Sequence, residues 1–122
     1  MSRNTETVTA YLDGFRRNDH GRILSCLTDD IEFTVYGAFH LAGKDAYDKA
    51  IDGPPELLDP PHLEVVRMVE QDDVIMAELT ATIERAEGGH LRLSMAELFL
   101  MRDGKIAERR AWVIELKEND FR

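Results

Sequence analysis

The sequence predicts an α+β fold in which a curved antiparallel sheet wraps around three helices. Two observations support this prediction. Apolar residues recur at helical spacing in three segments before residue 52, with one strand-like segment among them. From residue 63 to residue 116 they alternate along four strand-like runs joined by tight turns. The length of 122 residues suits one domain, and we predict a single domain over residues 1–122.

The first two helices are predicted from their apolar spacing. Val8, Tyr11, Leu12 and Phe15 follow the i, i+3, i+4, i+7 pattern, which indicates a helix over residues 5–17 that Asn4 or Thr5 could cap. Asp19 can cap a second, shorter helix, whose buried stripe would be Ile23, Leu24 and Leu27. We expect Cys26, the single cysteine, to pack in the core rather than to react.

A strand, a third helix and a proline-rich segment follow. Ile31, Phe33 and Val35 alternate with polar neighbours and indicate a half-buried strand over residues 31–36. Two glycines bracket a short connector over residues 37–43. Residues 44–51 have helical spacing, and a Gly-Pro-Pro sequence ends that helix. All four prolines lie in residues 53–61, which we interpret as a semi-rigid loop.

The last hairpin, residues 91–116, turns at Asp103 and Gly104 and contains the main chemical signal. Alternation places Glu97 on the same face as four apolar residues, Leu93, Met95, Phe99 and Met101. On the second strand Ile106, Arg110, Trp112 and Ile114 share a parity. We therefore expect Glu97, Arg110 and Trp112 to meet on one concave surface.

The composition excludes several classes of partner. A net charge of −9 disfavours nucleic acid and anionic membranes, since both would repel the chain. No apolar run approaches the roughly 20 residues of a membrane span, and no signal peptide is visible, so we expect a cytoplasmic protein. The histidines, the cysteine and the carboxylates show no coordination spacing, so we predict no metal site.

Several short sequences resemble the nuclear transport factor 2-like superfamily, the cone-shaped fold of ketosteroid isomerases, SnoaL-like polyketide cyclases and limonene epoxide hydrolases. These sequences are Tyr11 with Asp19 downstream, the Leu-Thr-Asp-Asp-Ile-Glu-Phe run at residues 27–33, Gly43-Lys44, and Asp103-Gly104-Lys105-Ile106 followed by Arg110 and Trp112. Their order covers nearly the whole chain. The resemblance implies the cone-shaped fold, but not one activity, because this fold has many functions.

The resemblance also implies roles for particular residues. Tyr11 corresponds to the oxyanion-hole tyrosine of ketosteroid isomerases, and Glu97 corresponds to their oxyanion-hole carboxylic acid. The general-base aspartate of that family aligns with Val35. Because that base is missing, we do not predict steroid isomerisation.

Two interpretations of Glu97 and Tyr11 stay open at this point. Glu97 could be a general acid or base, or a substrate-binding group, with Arg110 as its cation; equally, the two could form a structural ion pair between strands. Tyr11 could point into a pocket or bond a backbone carbonyl in the core.

The long strand over residues 74–86 also permits two orientations. The resemblance favours an orientation with Glu78 and Thr80 in the pocket. An apolar stripe of Ile75, Leu79 and Ile83 would then lie on the outer sheet face, where the resemblance implies that a second subunit covers it. A bulge would give the opposite parity and leave Glu78 in solvent. In the first orientation Glu78, Arg110 and Glu97 resemble, in residue type, the Asp-Arg-Asp set of limonene epoxide hydrolases.

We therefore predict a homodimer that binds a small, mostly apolar molecule with a carbonyl or enol oxygen, without a cofactor. Tyr11, Glu97 and Arg110 are the candidate catalytic residues for acid/base isomerase, cyclase or lyase chemistry. The alternatives are a non-catalytic binding or dimerisation module and an epoxide-hydrolase-like enzyme. The predicted ligand-binding residues are Phe15, Phe33, Val35, His40, Met76, Glu78, Met95, Phe99 and Trp112. For His40, in the loop after the first strand, simple solvation is the alternative.

Overall fold

The computed structural model describes residues 2–117, which form three helices and six strands. In chain order these are α1 (Arg3–Arg16), α2 (His20–Ser25), β1 (Leu27–Val35), β2 (Phe39–Ala42), α3 (Lys44–Ile51), β3 (Leu57–Gln71), β4 (Val74–Arg85), β5 (His90–Arg102) and β6 (Lys105–Leu116). The three predicted helices are confirmed. Within residues 2–117 no helix is long and apolar enough to cross a bilayer.

Side-chain caps begin the first two helices. The Ser2 hydroxyl accepts a hydrogen bond from the Thr5 amide at 3.0 Å, so α1 begins two residues earlier than predicted, with Ser2 and not Asn4 or Thr5 as its cap. Asp19 caps α2 as predicted, accepting from the Arg22 amide at 3.0 Å. The buried face of α1 contains Tyr11, which is fully buried.

The strands form one curled sheet in the order β2-β1-β6-β5-β4-β3. All neighbours pair antiparallel except β1 and β6, which are parallel. The helices pack against one side of this sheet, and the core lies between them. We call the other side the outer face. The α+β fold is confirmed, while the sheet is mixed rather than wholly antiparallel.

One strand was not predicted, and two strands begin earlier than predicted: β1 at Leu27 rather than residue 31, and β3 at Leu57 rather than residue 63. The connector over residues 37–43 contains β2, which pairs with β1. β3 begins at Leu57, inside the segment predicted as a loop. Pro60 and Pro61 are tolerated there because β3 is an edge strand and its register with β4 shifts between Leu58 and His62.

The favoured orientation of β4 is wrong, and the opposite parity is observed. Ile75, Ala77, Leu79 and Ala81 are buried against the helices, whereas Glu78 is exposed on the outer face. The cause is the hydrophobic effect, since this parity places the wholly apolar side of the strand in the core. The outward apolar stripe on β4 therefore does not exist.

A bulge in β6 reverses the predicted parity of its second half. Ile106 pairs with Met101 and Glu108 pairs with Leu100, so Ala107 is the extra residue. As a result Arg109 and Ala111 face the core, and the predicted set Arg110, Trp112 and Ile114 lies on the outer face. Trp112 is 42% exposed and stacks on the Tyr36 ring at 5.0 Å.

Candidate functional site

A buried hydrogen-bonded cluster lies where α1 and α3 meet the sheet. Its four members are Tyr11 of α1, Tyr47 of α3, Glu97 of β5 and Arg109 of β6, and we call them the buried tetrad. Each side chain comes from a different element, and each points inward from an otherwise apolar face. The tetrad therefore connects both helices to the centre of the sheet.

Glu97 and Arg109 form a two-pronged ion pair. Arg109 Nε donates to Glu97 Oε1 and Arg109 Nη2 donates to Oε2, both at 2.8 Å. Glu97 is 1% exposed, and the side chain of Arg109 is 14% exposed. A parallel pair of charge-assisted hydrogen bonds is the strongest geometry for these groups. Both carboxylate oxygens act as acceptors, so Glu97 does not serve as the hydrogen-bond donor of an oxyanion hole in this arrangement.

The two tyrosines complete the coordination of the guanidinium. Arg109 Nη1 donates to the Tyr11 hydroxyl at 2.6 Å and to the Tyr47 hydroxyl at 3.0 Å, and the two hydroxyls are hydrogen-bonded to each other. Burial raises the pKa of Tyr11 well above its ordinary value and also raises the pKa of Tyr47. Both phenols are therefore neutral at physiological pH.

Aromatic rings enclose Arg109. Its guanidinium carbon lies 4.1 Å from the centre of the Phe33 ring, and the rings of Tyr11 and Phe15 follow at 5.5 and 5.8 Å. Burial lowers the pKa of Arg109, but the Glu97 carboxylate and the two tyrosine hydroxyls together outweigh burial and hold the pKa well above its ordinary value. Arg109 is thus a permanent cation inside the fold.

A cavity of about 110 Å³ adjoins the tetrad and is partly open to solvent. Among the residues that the structure describes, the charged ones in its lining are Glu97 and Arg109. The rest of the lining is apolar: Leu12, Phe15, Pro61, Leu63, Leu79, Ala81, Ile83, Leu93 and Met95. A larger depression of about 380 Å³ beside the β3–β4 turn does not reach the tetrad. The smaller cavity is the candidate site, because there a buried polar pair meets an apolar wall.

Comparison with known proteins identifies the family. The sequence model of the SnoaL-like domain matches residues 8–109. The chain belongs to the SnoaL-like domain family. A search of curated proteins gave no match.

Solved structures agree with this assignment. A nuclear transport factor 2-like protein of unknown function from Burkholderia pseudomallei is similar, with a TM-score of 0.83 and 19% sequence identity. The alignment covers 91% of this chain and 90% of that chain. TerC, co-crystallised with polyporic acid, has a TM-score of 0.81 and 26% identity, with 90% of each chain covered. An LEH-like epoxide hydrolase of M. tuberculosis has a TM-score of 0.80 and 16% identity, over 92% of this chain and 83% of that one. The predicted superfamily resemblance is confirmed.

The structure brings several predicted site residues of this SnoaL-like domain together. Tyr11 and Glu97 belong to the tetrad, and Phe33 stacks on its guanidinium. Phe15 and Met95 line the cavity. Phe99 is fully buried beside Tyr11, with ring centres 5.8 Å apart. Val35 packs against the core without lining the cavity.

Other predicted site residues lie elsewhere. Arg110 is not the partner of Glu97; it pairs with Glu108 at 2.7 Å on the outer face. Trp112, Met76 and Glu78 also lie on the outer face, because of the β6 bulge and the parity of β4. His40 is exposed, with its Nδ1 hydrogen-bonded to the Thr34 hydroxyl at 2.8 Å. The proposed set of Glu78, Arg110 and Glu97 therefore does not form.

The sequence prediction missed Arg109 and Tyr47. Tyr47 falls within the helix predicted over residues 44–51, and the need of a buried tyrosine hydroxyl for a hydrogen-bond partner is the signal that could have found it. Arg109 precedes Arg110, and only the unpredicted bulge decides which of the two faces inward. Within residues 2–117, no group of three His, Cys, Asp or Glu side chains is placed to hold a metal ion.

Proposed function

We propose that this SnoaL-like domain binds a small, mostly apolar molecule in the cavity, with the polar end of the molecule at Glu97 and Arg109. The observation that supports this is the lining itself, which is apolar except for one buried, hydrogen-bonded ion pair. Apolar walls with a few placed polar groups are typical of small-molecule sites. The TerC neighbour, crystallised with polyporic acid, agrees with small-molecule binding on this fold.

The size of the cavity limits the ligand. A cavity of roughly 150 Å³ lined by apolar side chains can hold benzene. The present cavity of about 110 Å³ is smaller, but it is partly open, so one ring or a short chain could enter and protrude. The proposed ligand is therefore a fragment of about that size, or the ring end of a larger molecule.

The arrangement supports binding ahead of acid/base catalysis. Both oxygens of Glu97 are held by Arg109, and Val35 offers no base on β1. The second carboxylate that epoxide-hydrolase-like chemistry would need, Glu78, is on the outer face. Isomerase, cyclase or lyase activity would require Glu97 to release a hydrogen bond from Arg109 on ligand binding.

Native mass spectrometry of the freshly purified protein tests the proposal. We expect a retained small molecule, or saturable binding of toluene as a probe. The variant Ala81→Leu should abolish this binding, because the larger side chain fills the cavity. Ala86→Leu is the matched control, since Ala86 follows β4, is exposed and does not line the cavity. Circular dichroism shows whether both variants fold. Equal binding by wild type and Ala81→Leu would place the ligand elsewhere, and absence of any binding would overturn the proposal.

We also propose that a second copy of the chain covers the outer face. On that face Trp112 and Ile114 are 42% and 62% exposed, and Leu98 of β5 pairs with Arg110, next to Trp112. Arg110 and Glu78 flank this apolar area from opposite sides. A twofold axis in the plane of the interface can place each Arg110 on the Glu78 of the other copy, so the surface is self-complementary.

Sedimentation velocity tests the dimer. We expect a species of twice the 13.9 kDa chain mass, and we expect Ile114→Glu to convert it to the monomer. Val66→Glu, an equally drastic change on the edge strand β3, is the control and leaves the mass unchanged. A monomeric wild type at micromolar concentration would overturn this proposal without affecting the cavity proposal.

A further inference from the structure

We infer that the cavity selects neutral ligands with a hydrogen-bond acceptor over charged ligands of the same shape. The inference rests on the proposed binding of a small molecule in the cavity, and it names the chemical class of that molecule. It follows from two features of the tetrad: its balance of charge and its count of hydrogen-bond donors.

The charge of the site is already balanced. Glu97 and Arg109 neutralise each other, Tyr11 and Tyr47 are neutral, and the other lining residues that the structure describes are apolar. An anion in the cavity would therefore lose its hydration and meet no uncompensated cation. An ammonium group would likewise meet no uncompensated carboxylate. Desolvating an ion without a counter-charge is strongly unfavourable, so both kinds of ligand are disfavoured.

The donor count shows what the site can still bind. A guanidinium has five N–H groups. In Arg109, Nε donates its one N–H to Glu97, Nη1 donates to both tyrosine hydroxyls, and Nη2 donates one N–H to Glu97. Among the residues that the structure describes, the second N–H of Nη2 has no acceptor. It is a donor for one neutral oxygen, such as a carbonyl, at the polar end of the cavity.

Three probes of closely similar shape test the selectivity. Toluene offers no acceptor, benzaldehyde offers a neutral carbonyl oxygen, and benzoate carries a charge. Titrations followed by amide shifts around the cavity give the affinities in the wild-type protein. We expect benzaldehyde to bind about tenfold more tightly than toluene, because a hydrogen bond from a charged donor gives a gain of this order. Benzoate is expected to bind at least about tenfold more weakly than benzaldehyde.

The variant Glu97→Gln is expected to reverse the order. It keeps the shape of the side chain but removes the negative charge, so Arg109 becomes an uncompensated cation at the cavity. Benzoate should then bind more tightly than benzaldehyde, and it should raise the thermal midpoint of the variant but not that of the wild type. Glu108→Gln is the matched control, because it makes the same change in the Arg110 ion pair on the outer face. That control should keep the wild-type order.

The outcomes separate this inference from the proposed function. If toluene binds in the cavity but benzoate binds as tightly as benzaldehyde, the selectivity is wrong and the binding site stands. If none of the three probes shifts the cavity amides, the binding site itself is overturned. If Glu97→Gln does not fold, the wild-type order of the three affinities still decides the question.

Discussion

Glu97 is the residue on which the buried position of Arg109 depends. Removing one partner of a buried ion pair leaves the other without compensation and typically costs about 3–5 kcal/mol. We therefore expect Glu97→Gln to lower the free energy of unfolding by about this amount, measured by urea denaturation. Glu108→Gln should change it far less, because the Glu108–Arg110 pair is partly exposed. Equal losses in the two variants would contradict this role of Glu97.

Tyr47 contributes a hydroxyl that both Arg109 and Tyr11 use. Tyr47→Phe keeps the ring but removes one acceptor of Arg109 Nη1 and the hydroxyl partner of Tyr11, a loss of buried hydrogen bonds that costs about 1–3 kcal/mol. Urea denaturation is the measurement, and Tyr36→Phe, on an exposed tyrosine stacked on Trp112, is the control with no loss expected. A Tyr47→Phe variant as stable as the wild type would show that the hydroxyl is not needed.

Single polar residues were predictable where they interrupt an apolar stripe. Glu97 and Tyr11 were found in this way, because each lies among residues that must face the core. Arg109 was not found, because it and its neighbour Arg110 have the same chemistry and differ only in which face of the strand they occupy. The bulge at Ala107 sets that parity, and an alanine carries no local signal for a bulge.

Two elements, α2 and α3, are joined by His20. Its Nδ1 lies 2.6 Å from Asp48 and its Nε2 lies 3.0 Å from Asp52. These hydrogen bonds, the one to Asp48 first, raise the pKa of His20 above its ordinary value of 6.5. When the folded-state pKa is raised, the stabilisation is complete below the unfolded-state pKa and is lost as pH rises through the folded-state value.

We therefore expect the protein to lose a small part of its stability between about pH 6.5 and the higher folded-state pKa of His20. The ring is one-third exposed, so the loss should not exceed that of a surface ion pair, about 1 kcal/mol. Urea denaturation at pH 5.5 and pH 8.5 measures it. In His20→Asn the difference between the two pH values should shrink, whereas His62→Asn, on an exposed histidine of β3, should leave it unchanged. An unchanged difference in His20→Asn would contradict the prediction.

Helices and strands whose apolar residues repeat with a clear period were predicted, and elements with a weak sequence signal were not. The three helices and the hairpins follow from periodicity and turn residues, and Asp72 and Asp103 adopt the positive φ that such turns require. β2 was missed because a strand of four residues is too short to show the alternation of apolar and polar side chains. The start of β3 was missed because prolines argue against a strand, and only the position of β3 at the edge of the sheet permits them.

At the scale of the whole molecule, the tetrad links elements that are distant in sequence. Tyr11 and Arg109 are 98 residues apart, and Tyr47 belongs to a third segment. Global unfolding exposes both phenols to water together. Their ionisation is therefore coupled to unfolding of the whole domain, and this coupling should be visible at alkaline pH.

We expect stability to fall steeply above pH 10. Burial raises the pKa of Tyr11 and of Tyr47 above the ordinary value of 10.0, so above that pH the unfolded chain loses two protons that the folded chain keeps. A raised folded-state pKa gives stabilisation that is complete below pH 10 and is lost as pH rises further. Each tyrosine contributes about 1.4 kcal/mol per pH unit to the decline.

The variant Tyr47→Phe isolates this effect, because phenylalanine has no proton to lose. Its free energy of unfolding starts lower at pH 8, yet it should decline above pH 10 less steeply than that of the wild type, by about 1.4 kcal/mol per pH unit. Urea denaturation at intervals between pH 8 and pH 11 gives both slopes, and other groups that ionise in this range contribute equally to the two proteins. Tyr36→Phe should keep the wild-type slope, since that ring is exposed. If wild type and Tyr47→Phe decline in parallel, the Tyr47 proton is not retained by the folded state.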